Sequence, residues 1–213
     1  MNDYTDANPH LQAHFQQLYQ QDADPWKVRQ RWYEQRKRSV LLACLPQQRY
    51  RRGYEPACGN GELTAALSRR VERLLASDFS AEAVNLARRR LMQEPDGDTT
   101  RVTICQQRLP QDWPDNLSFD LIVLSEILYY LDEAALLLMR ERCVSSLEPG
   151  GTLLLCHWRH PFDDRMLATD EAHAIFGQVP GLRRAVRHCD DDFLIEAWTS
   201  DPAPSPQLQG EPS

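Results

Sequence analysis

Between residues 53 and 158 the sequence alternates short apolar runs with longer segments of helical periodicity, and this alternation leaves few possible architectures. The apolar runs lie at 53–56, 73–78, 100–106, 119–125 and 152–158. The segments with apolar residues at helical spacing lie at 61–70, 81–93 and 132–147. Short apolar runs are typical of strands buried on both faces, and strand–helix alternation is typical of parallel sheets. The sequence therefore predicts an α/β fold with a doubly wound, mostly parallel sheet.

Both ends of this region extend the predicted fold. A helical pattern runs from Lys27 to Leu45, and the segments 182–189 and 191–199 are too close together for a crossover helix, which predicts an antiparallel hairpin. We expect three parts along the chain. These are a polar, partly helical N-terminal segment (1–23), one domain (24–199) and a disordered tail (200–213).

The composition fits an ordinary globular domain. Of the 213 residues, 42% are hydrophobic and 26% are charged, which argues against a disordered or membrane-embedded chain. The net charge of −7 provides no attraction to nucleic acid or anionic lipid. The first twenty residues lack a secretory-signal pattern, and the six cysteines form no C-x-x-C pair. We therefore expect a cytoplasmic protein with reduced thiols and no bound metal.

A glycine-containing loop marks the first strand-to-helix junction, where residues 55–63 read EPACGNGEL. Gly59 and Gly61 allow a sharp turn and a close approach of the backbone to a ligand. Asp78 ends the next predicted strand, where a carboxylate can accept hydrogen bonds from both hydroxyls of a ribose. Ligands of open α/β sheets bind beyond the carboxyl ends of the strands. The loop and the acid together predict a nucleoside site.

The spacing of the loop indicates which kind of nucleoside is bound. A dinucleotide site has the pattern G-x-G-x-x-G, whereas this loop has A-x-G-x-G, and Glu62 at the helix start would repel phosphates. The pattern therefore disfavours a nicotinamide dehydrogenase. It is compatible with a ligand that lacks phosphate and carries an amine and a sulfonium.

These features resemble the class I S-adenosylmethionine-dependent methyltransferases. The resemblance rests on four features: E-x-A-x-G-x-G at 55–61, Asp78, the FDLIV strand followed by Ser125-Glu126, and LEPGG at 147–151. More narrowly, the sequence is similar to the nodulation protein S (NodS-like) family, which N-methylates the exposed amine of a partly deacetylated chitooligosaccharide. That similarity is carried by Asp24-Pro25-Trp26, Tyr33-Glu34 with Lys37, Tyr50-Arg51-Arg52, residues 125–131 and His157-Trp158-Arg159. It implies a seven-stranded sheet of order 3-2-1-4-5-7-6 with the last strand antiparallel, and N-terminal helices that close over the cofactor.

The resemblance also implies which residues bind S-adenosylmethionine. The methionine part would be surrounded by Glu55, Ala57, Gly59 and Gly61. Asp78 would bind the ribose, and Phe79 would lie against the adenine. Arg108 stands where family members commonly have Asp, so Gln107 or backbone groups are expected to contact the adenine amino group. The remaining expected cofactor-binding residues are Trp26, Tyr33, Leu109 and Ser125.

Methyl transfer to an amine requires a neutral nucleophile, so a group that accepts its proton is useful. Glu126 and His157 end neighbouring predicted strands and are the candidates for this role. Tyr129 is a third candidate catalytic residue, because an aromatic ring can wall a sulfonium or stack on a sugar. Trp32 is expected on the apolar stripe of its helix, and Arg31 or Lys37 is a candidate for reaching the cofactor or an acidic substrate.

The sequence favours an S-adenosylmethionine-dependent methyltransferase that acts on a small-molecule or oligosaccharide acceptor, with an amine of an amino sugar preferred. Three alternatives remain open: a small-molecule O- or carboxyl-methyltransferase, a nicotinamide dehydrogenase and a non-catalytic cofactor-binding module. We expect no nucleic-acid or membrane partner, and the sequence leaves the oligomeric state open.

Overall fold

A computed structural model describes residues 9–94 and 99–201, with the side chains of 9–12 and 99 left aside. Its helices are α1 (Pro9–Gln21), α2 (Trp32–Ala43), α3 (Glu62–Leu67), α4 (Ala81–Met92), α5 (Glu133–Ser146) and α6 (Thr169–Gly177). Its strands are β1 (Tyr50–Pro56), β2 (Val71–Asp78), β3 (Val102–Gln106), β4 (Phe119–Ser125), β5 (Leu147–Trp158), β6 (Leu182–Cys189) and β7 (Phe193–Ser200). Short 3₁₀ turns cover Thr99–Arg101 and Leu128–Tyr130.

The strands within these ranges form one sheet of order β3-β2-β1-β4-β5-β7-β6. Strands β1 to β5 pair in parallel, and β7 runs antiparallel to both β5 and β6. This arrangement confirms the predicted fold class, strand order and terminal hairpin. It also places the carboxyl ends of the central strands β1, β2, β4 and β5 at one edge of the sheet.

Strand β4 shows why the central strands read as continuous apolar runs. Leu121 and Val123 pack with α2 and α3 on one face of the sheet, whereas Ile122 and Leu124 pack with α5 and α6 on the other. All four side chains are at most 1% exposed. Because both faces are covered by helices, alternation with polar residues does not occur in this strand.

Three local features differ from the sequence-based expectations. Helix α2 begins at Trp32 rather than near Lys27, because the preceding segment turns around Asp24, whose carboxylate accepts from the backbone N–H groups of Val28 and Arg29. Trp32 is 75% exposed, so the prediction that it lies on the buried stripe of its helix is wrong. The helix α6 was not predicted.

The two ends of the chain are only partly covered by the structure. Residues 9–21 of the N-terminal segment are helical, and Ser200 ends β7. Of the predicted disordered tail (200–213), Ser200 therefore lies in a strand, and residues 202–213, like residues 1–8, lie outside the described residues. None of the helices in residues 9–94 and 99–201 combines the length and the apolar character needed to cross a membrane.

Gly61 sets the distance between α3 and α4. It lies at the start of α3 with φ +82°, and a Cβ added there would be 2.7 Å from the Cα of Ala87 and 2.8 Å from its Cβ. A side chain at this position would therefore meet backbone that cannot move without displacing α4. Gly150 has a similar φ of +75°, but nothing lies within 4 Å of its added Cβ.

We predict that Gly61→Ala lowers the free energy of unfolding by about 2 to 5 kcal/mol, through left-handed backbone strain together with overpacking. Gly150→Ala is the matched control and should lose only about 1 to 2 kcal/mol, because it adds the strain without the contact. Urea unfolding of both variants measures the difference. Equal losses would show that the α3–α4 contact is not constrained by Gly61.

Candidate active site

A cleft of about 710 Å³ opens at the carboxyl ends of β1, β2, β4 and β5 and is covered by α1 and the segment before α2. It brings together all but two of the residues predicted for the site. The predicted residues that line it are Trp26, Tyr33, Glu55, Ala57, Gly59, Asp78, Phe79, Gln107, Arg108, Leu109, Ser125, Glu126 and Tyr129. Arg31 and Lys37 also line it, whereas Gly61 and His157 do not.

Asp78, at the end of β2, is held by backbone groups on both sides. Its Oδ2 accepts from the N–H of Gly59 at 3.0 Å, and its Oδ1 accepts from the N–H of Ser80 at 2.9 Å. Burial raises the pKa of the Asp78 carboxyl to about 6, although the backbone N–H groups of Ser80 and Gly59 act in the opposite direction. Near pH 7 the carboxyl group is therefore mostly ionised. It lies beside the glycine loop, to which it is hydrogen-bonded through Gly59.

Glu55 lies near the end of β1 with one carboxyl oxygen unsatisfied. The side chain is 2% exposed, and its Oε2 has no hydrogen-bond partner among the described residues. Burial raises the pKa of this carboxyl to about 8, although the neighbouring Thr64 hydroxyl acts in the opposite direction. Buried polar atoms are almost always paired in native proteins. The Oε2 of Glu55 is therefore a candidate contact for a polar group of a ligand.

Aromatic residues of α1 form the roof of the cleft. The Tyr19 hydroxyl lies 2.8 Å from where a Cβ of Gly59 would be, so the glycine at φ +55° makes room for it. The Phe15 ring contacts those of Trp26 and Tyr130, with centroids 5.7 and 5.0 Å away. Phe15 and Tyr19 were not among the residues predicted for the site, although their i, i+4 spacing on an amphipathic helix was a usable signal.

The residues after β3, which are Gln107, Arg108 and Leu109, also line the cleft. The side-chain oxygen of Gln107 accepts from the Tyr54 hydroxyl at 3.2 Å, and its amide nitrogen donates to the carbonyl of Asp112 at 3.0 Å. The N–H of Arg108 donates to the carboxylate of Asp112. Because both ends of the Gln107 amide are engaged within the protein, the backbone is the better placed of the two predicted partners for an adenine.

A cluster of charges surrounds Glu126, which follows β4 in a left-handed conformation with φ +57°. Its Oε1 accepts from the Lys37 ammonium at 2.5 Å, and its Oε2 accepts from the Tyr129 hydroxyl and from the N–H of Trp158 at 3.0 Å. Lys37 also contacts the Glu34 carboxylate at 2.9 Å. Helix α2 thus provides the positively charged partner of Glu126, one of the candidate catalytic residues predicted from the sequence.

The protonation states in this cluster follow from their neighbours. Burial lowers the pKa of Lys37, but the carboxylates of Glu126 and Glu34 raise it more, and the net pKa is above its usual value. Burial, reinforced by Glu126, raises the pKa of the Tyr129 phenol well above its usual range. Lys37 therefore stays an ammonium and Tyr129 stays a hydrogen-bond donor, so one cation faces two carboxylates.

Two predicted site residues have other positions. Gly61 does not line the cleft, because it is turned toward α4, as described above. His157 is fully buried behind the cleft, and its Nε2 accepts from the backbone N–H groups of Ile127 and Leu128. Burial lowers the pKa of His157 well below its usual value. The prediction that His157 accepts a proton from the substrate is therefore wrong, since its accepting nitrogen is occupied.

The chain has only two lysines, which provide a matched pair for testing the ion pair. We predict that Lys37→Met lowers the free energy of unfolding at pH 8 by about 3 kcal/mol, because the half-buried carboxylates of Glu34 and Glu126 lose a buried partner. The loss should shrink toward pH 5, because burial raises the pKa of Glu34 and Lys37 lowers it, so Glu34 can take up a proton as the pH falls once Lys37 is gone.

Lys27→Met is the control, since this exposed lysine pairs with Asp22 at the surface and should lose no more than about 1 kcal/mol. Urea unfolding at both pH values measures each loss. A loss in Lys37→Met no larger than that in the control would contradict the assigned burial of the charge cluster.

Comparison with known proteins agrees with this geometry. The family described as "Methyltransferase domain" matches residues 54–153. Nodulation protein S of Rhizobium tropici is 32% identical over 133 residues, which cover 62% of this chain and 53% of that protein. Nodulation protein S of Sinorhizobium fredii is 29% identical over 133 residues, which cover 62% of this chain and 59% of that protein. The chain thus spans just over half the length of these curated relatives.

Solved structures extend the comparison. A Pseudomonas syringae protein assigned to the methyltransferases is 43% identical, with a TM-score of 0.69. The alignment covers 79% of this chain and 99% of that protein. The N-methyltransferase NodS of Bradyrhizobium japonicum, solved with S-adenosyl-L-homocysteine, is 22% identical, with a TM-score of 0.76. That alignment covers 88% of this chain and 97% of NodS, and at this identity it supports the fold alone. This chain therefore belongs to the methyltransferase family, as its motifs and its class I fold predicted.

Proposed function

We propose that this protein is an S-adenosylmethionine-dependent N-methyltransferase whose acceptor is an amine on a small molecule or oligosaccharide, with an amino sugar as the first candidate. The observation that carries this proposal is the arrangement of the cleft. A carboxylate cluster around Glu126 faces the same space as the nucleoside cradle formed by Gly59 and Asp78. The similarity to nodulation protein S supports the choice of acceptor.

The residues of the cradle fit S-adenosylmethionine. Asp78 presents a buried carboxylate suited to the ribose hydroxyls, and the orphaned Oε2 of Glu55 is suited to a polar group of the methionine part. Phe79 and the residues after β3 line the same cleft and are the candidates for holding the adenine. When bound, this cofactor supplies an electrophilic methyl group on a sulfonium. No phosphate-binding group is required, in agreement with Glu62 beside the loop.

The charge of the cleft favours a cationic cofactor and an amine acceptor over an acidic acceptor. Seven of the lining residues are acidic and four are basic, but Glu55 is mostly protonated at neutral pH because burial raises its pKa to about 8, and Glu62 is paired with Arg29 and Arg90. Asp163 and Asp164 add negative charge near the acceptor side, beyond the cluster of Lys37 with Glu34 and Glu126. An acceptor carboxylate would meet repulsion there, so this observation counts against the carboxyl-methyltransferase alternative.

Glu126 would act on the amine chiefly by orienting it. Lys37 holds one carboxylate oxygen, while Tyr129 and the Trp158 N–H hold the other, so the group is fixed before substrate binds. A carboxylate in this position can accept an N–H of the acceptor and thereby direct the nitrogen lone pair. Preorganisation of this kind accounts for much of the rate in displacement reactions.

The aromatic lining next to Glu126 suits a sugar. Tyr33, Trp158 and Phe162 line this side of the cleft, and the rings of Tyr33 and Trp158 pack with centroids 4.7 Å apart. Flat apolar rings with polar edges provide area for the faces of pyranose rings while leaving the hydroxyls hydrated. The same surface would serve other small amines with an apolar face, so the amino sugar is tested first.

The direct test is incubation of the protein with S-adenosylmethionine and partly deacetylated chitooligosaccharide, followed by mass spectrometry. We expect the mass of one methyl group to appear on oligosaccharides with a free amine and not on fully acetylated ones. Transfer to the acetylated compound would favour O-methylation. Binding of S-adenosylhomocysteine without transfer to any amine tested would favour the non-catalytic module.

We predict that Asp78→Asn weakens binding of S-adenosylhomocysteine by about 1.5 to 3 kcal/mol, since a charge-assisted hydrogen bond is lost. Because the pKa of Asp78 is raised to about 6, the contribution of Asp78 to the wild-type affinity should be constant above pH 7 and fall as the pH drops through 6. The variant should lose this pH dependence. Calorimetric titrations at pH 5.5 and 8 measure both effects, and an unchanged affinity in the variant would remove the ribose assignment.

We predict that Glu126→Gln leaves the affinity for S-adenosylhomocysteine unchanged and lowers kcat at neutral pH by about a hundredfold, because the acceptor amine is no longer oriented by a carboxylate. Glu141→Gln, at an exposed position of α5, is the control and should retain the wild-type rate. Initial rates from pH 6 to 9 measure the effect. Equal turnover of Glu126→Gln and wild type over this range would show that Glu126 has no role in catalysis.

A further inference from the structure

A buried histidine accepts backbone hydrogen bonds behind the acceptor side of the cleft. His157, on β5, is fully buried, and its Nε2 lies 3.3 Å from the N of Ile127 and 3.1 Å from the N of Leu128. A ring nitrogen that accepts N–H bonds carries no proton, so the ring proton is on Nδ1. That Nδ1 lies 2.9 Å from the Nε2 of His173, which must therefore be the acceptor. The neighbours of His157 thus fix one neutral tautomer.

The same reasoning fixes the second ring. Since the Nε2 of His173 accepts, its proton is on Nδ1, which lies 3.1 Å from the Oε2 of Glu196 on β7. His173 is 1% exposed and Glu196 is 4% exposed. The second oxygen of Glu196 accepts from Arg184 at 2.8 Å and lies 3.3 Å from Arg187. A directed chain of hydrogen bonds therefore leads from the backbone at 127–128 to a carboxylate held by two surface guanidinium groups.

The backbone groups at the start of this chain belong to the segment that carries the acceptor-side residues. Ile127 and Leu128 directly follow Glu126 and begin the short helical turn that contains Tyr129. The first N–H groups of a helical turn have no partner within the turn. His157 supplies an acceptor for both of them. Because the Tyr129 hydroxyl donates to Glu126, the turn and the carboxylate are held as one unit.

We propose that His157, His173 and Glu196 are positioning residues, which form a buried relay that holds Glu126 and Tyr129 against the acceptor. None of the three lines the cleft, so they act through the 127–130 turn and not by contact with substrate or cofactor. The effect on turnover rests on the proposed function. The hydrogen-bond chain itself does not, and it is open to a separate test.

Two variants of His157 separate the loss of the hydrogen-bond acceptor from the change of the side chain itself. His157→Leu removes the acceptor, whereas the amide oxygen of His157→Gln can take the place of Nε2. In His157→Leu we expect the N–H groups of Ile127 and Leu128 to lose protection from hydrogen exchange, while protection in β5 at 153–155 is retained. In His157→Gln, protection at 127–128 should also persist.

Turnover tests the consequence of the relay, with the amino-sugar oligosaccharide as probe. We expect kcat of His157→Leu to fall about tenfold to a hundredfold, while KM and the affinity for S-adenosylhomocysteine stay within about twofold, because misplacing reacting groups by about 1 Å costs rate and not binding. His157→Gln should recover most of the rate. His173→Leu should lower kcat in the same way, and His188→Leu, on β6 and outside the relay, should not.

The ring tautomers of the wild-type protein are a further readout that needs no variant. ¹⁵N spectra of the histidine rings should show His157 and His173 protonated at Nδ1 only. Protonation at Nε2 of either ring, or unchanged exchange at 127–128 in His157→Leu, would overturn the relay whatever the activity. Lost protection with unchanged kcat would overturn the positioning role. Failure of the wild-type protein to methylate any amine would overturn the proposed function and leave the relay to be judged by exchange and tautomer.

Discussion

The ion pair between Lys37 and Glu126 is the interaction on which the proposed acceptor side of the cleft depends. It joins α2, which is remote in sequence, to the carboxyl end of β4, and its two charges lie 2.5 Å apart in a largely buried setting. Glu34 adds a second carboxylate to the same ammonium. A buried charge is tolerated only when it is paired. The pair therefore fixes the position of α2 and the direction of the Glu126 carboxylate together.

The parallel sheet explains why this pair faces the proposed nucleoside cradle. Strands β1, β2, β4 and β5 end at one edge, so Asp78 and Glu126 reach the same cleft although they are 48 positions apart in the sequence. Gly59 contributes by leaving room for the Tyr19 hydroxyl of the roof. The sheet topology thus brings the proposed cofactor site and the proposed acceptor site together, and a few local contacts set the geometry of each.

The sequence predicted the sheet and most of the cleft because the strands are short, apolar and bounded, and because residues at strand ends share one edge. It could not predict contacts that depend on packing between distant segments. The role of Lys37 was left open, since a lysine in a basic stretch is usually solvated, and His157 was assigned to the substrate because its burial behind Tyr129 is not encoded locally. The exposure of Trp32 has a similar origin, because the start of α2 is set by turns around Asp24.

The cofactor assignment is the central claim, and calorimetric titration of the wild-type protein tests it most directly. S-adenosylhomocysteine and NAD are titrated separately under the same conditions at pH 8. The geometry of the cradle predicts binding of the first with one molecule per chain and no binding of the second, together with thermal stabilisation that increases with S-adenosylhomocysteine concentration. Binding of NAD, or of neither compound, would contradict the assignment of the cleft to S-adenosylmethionine.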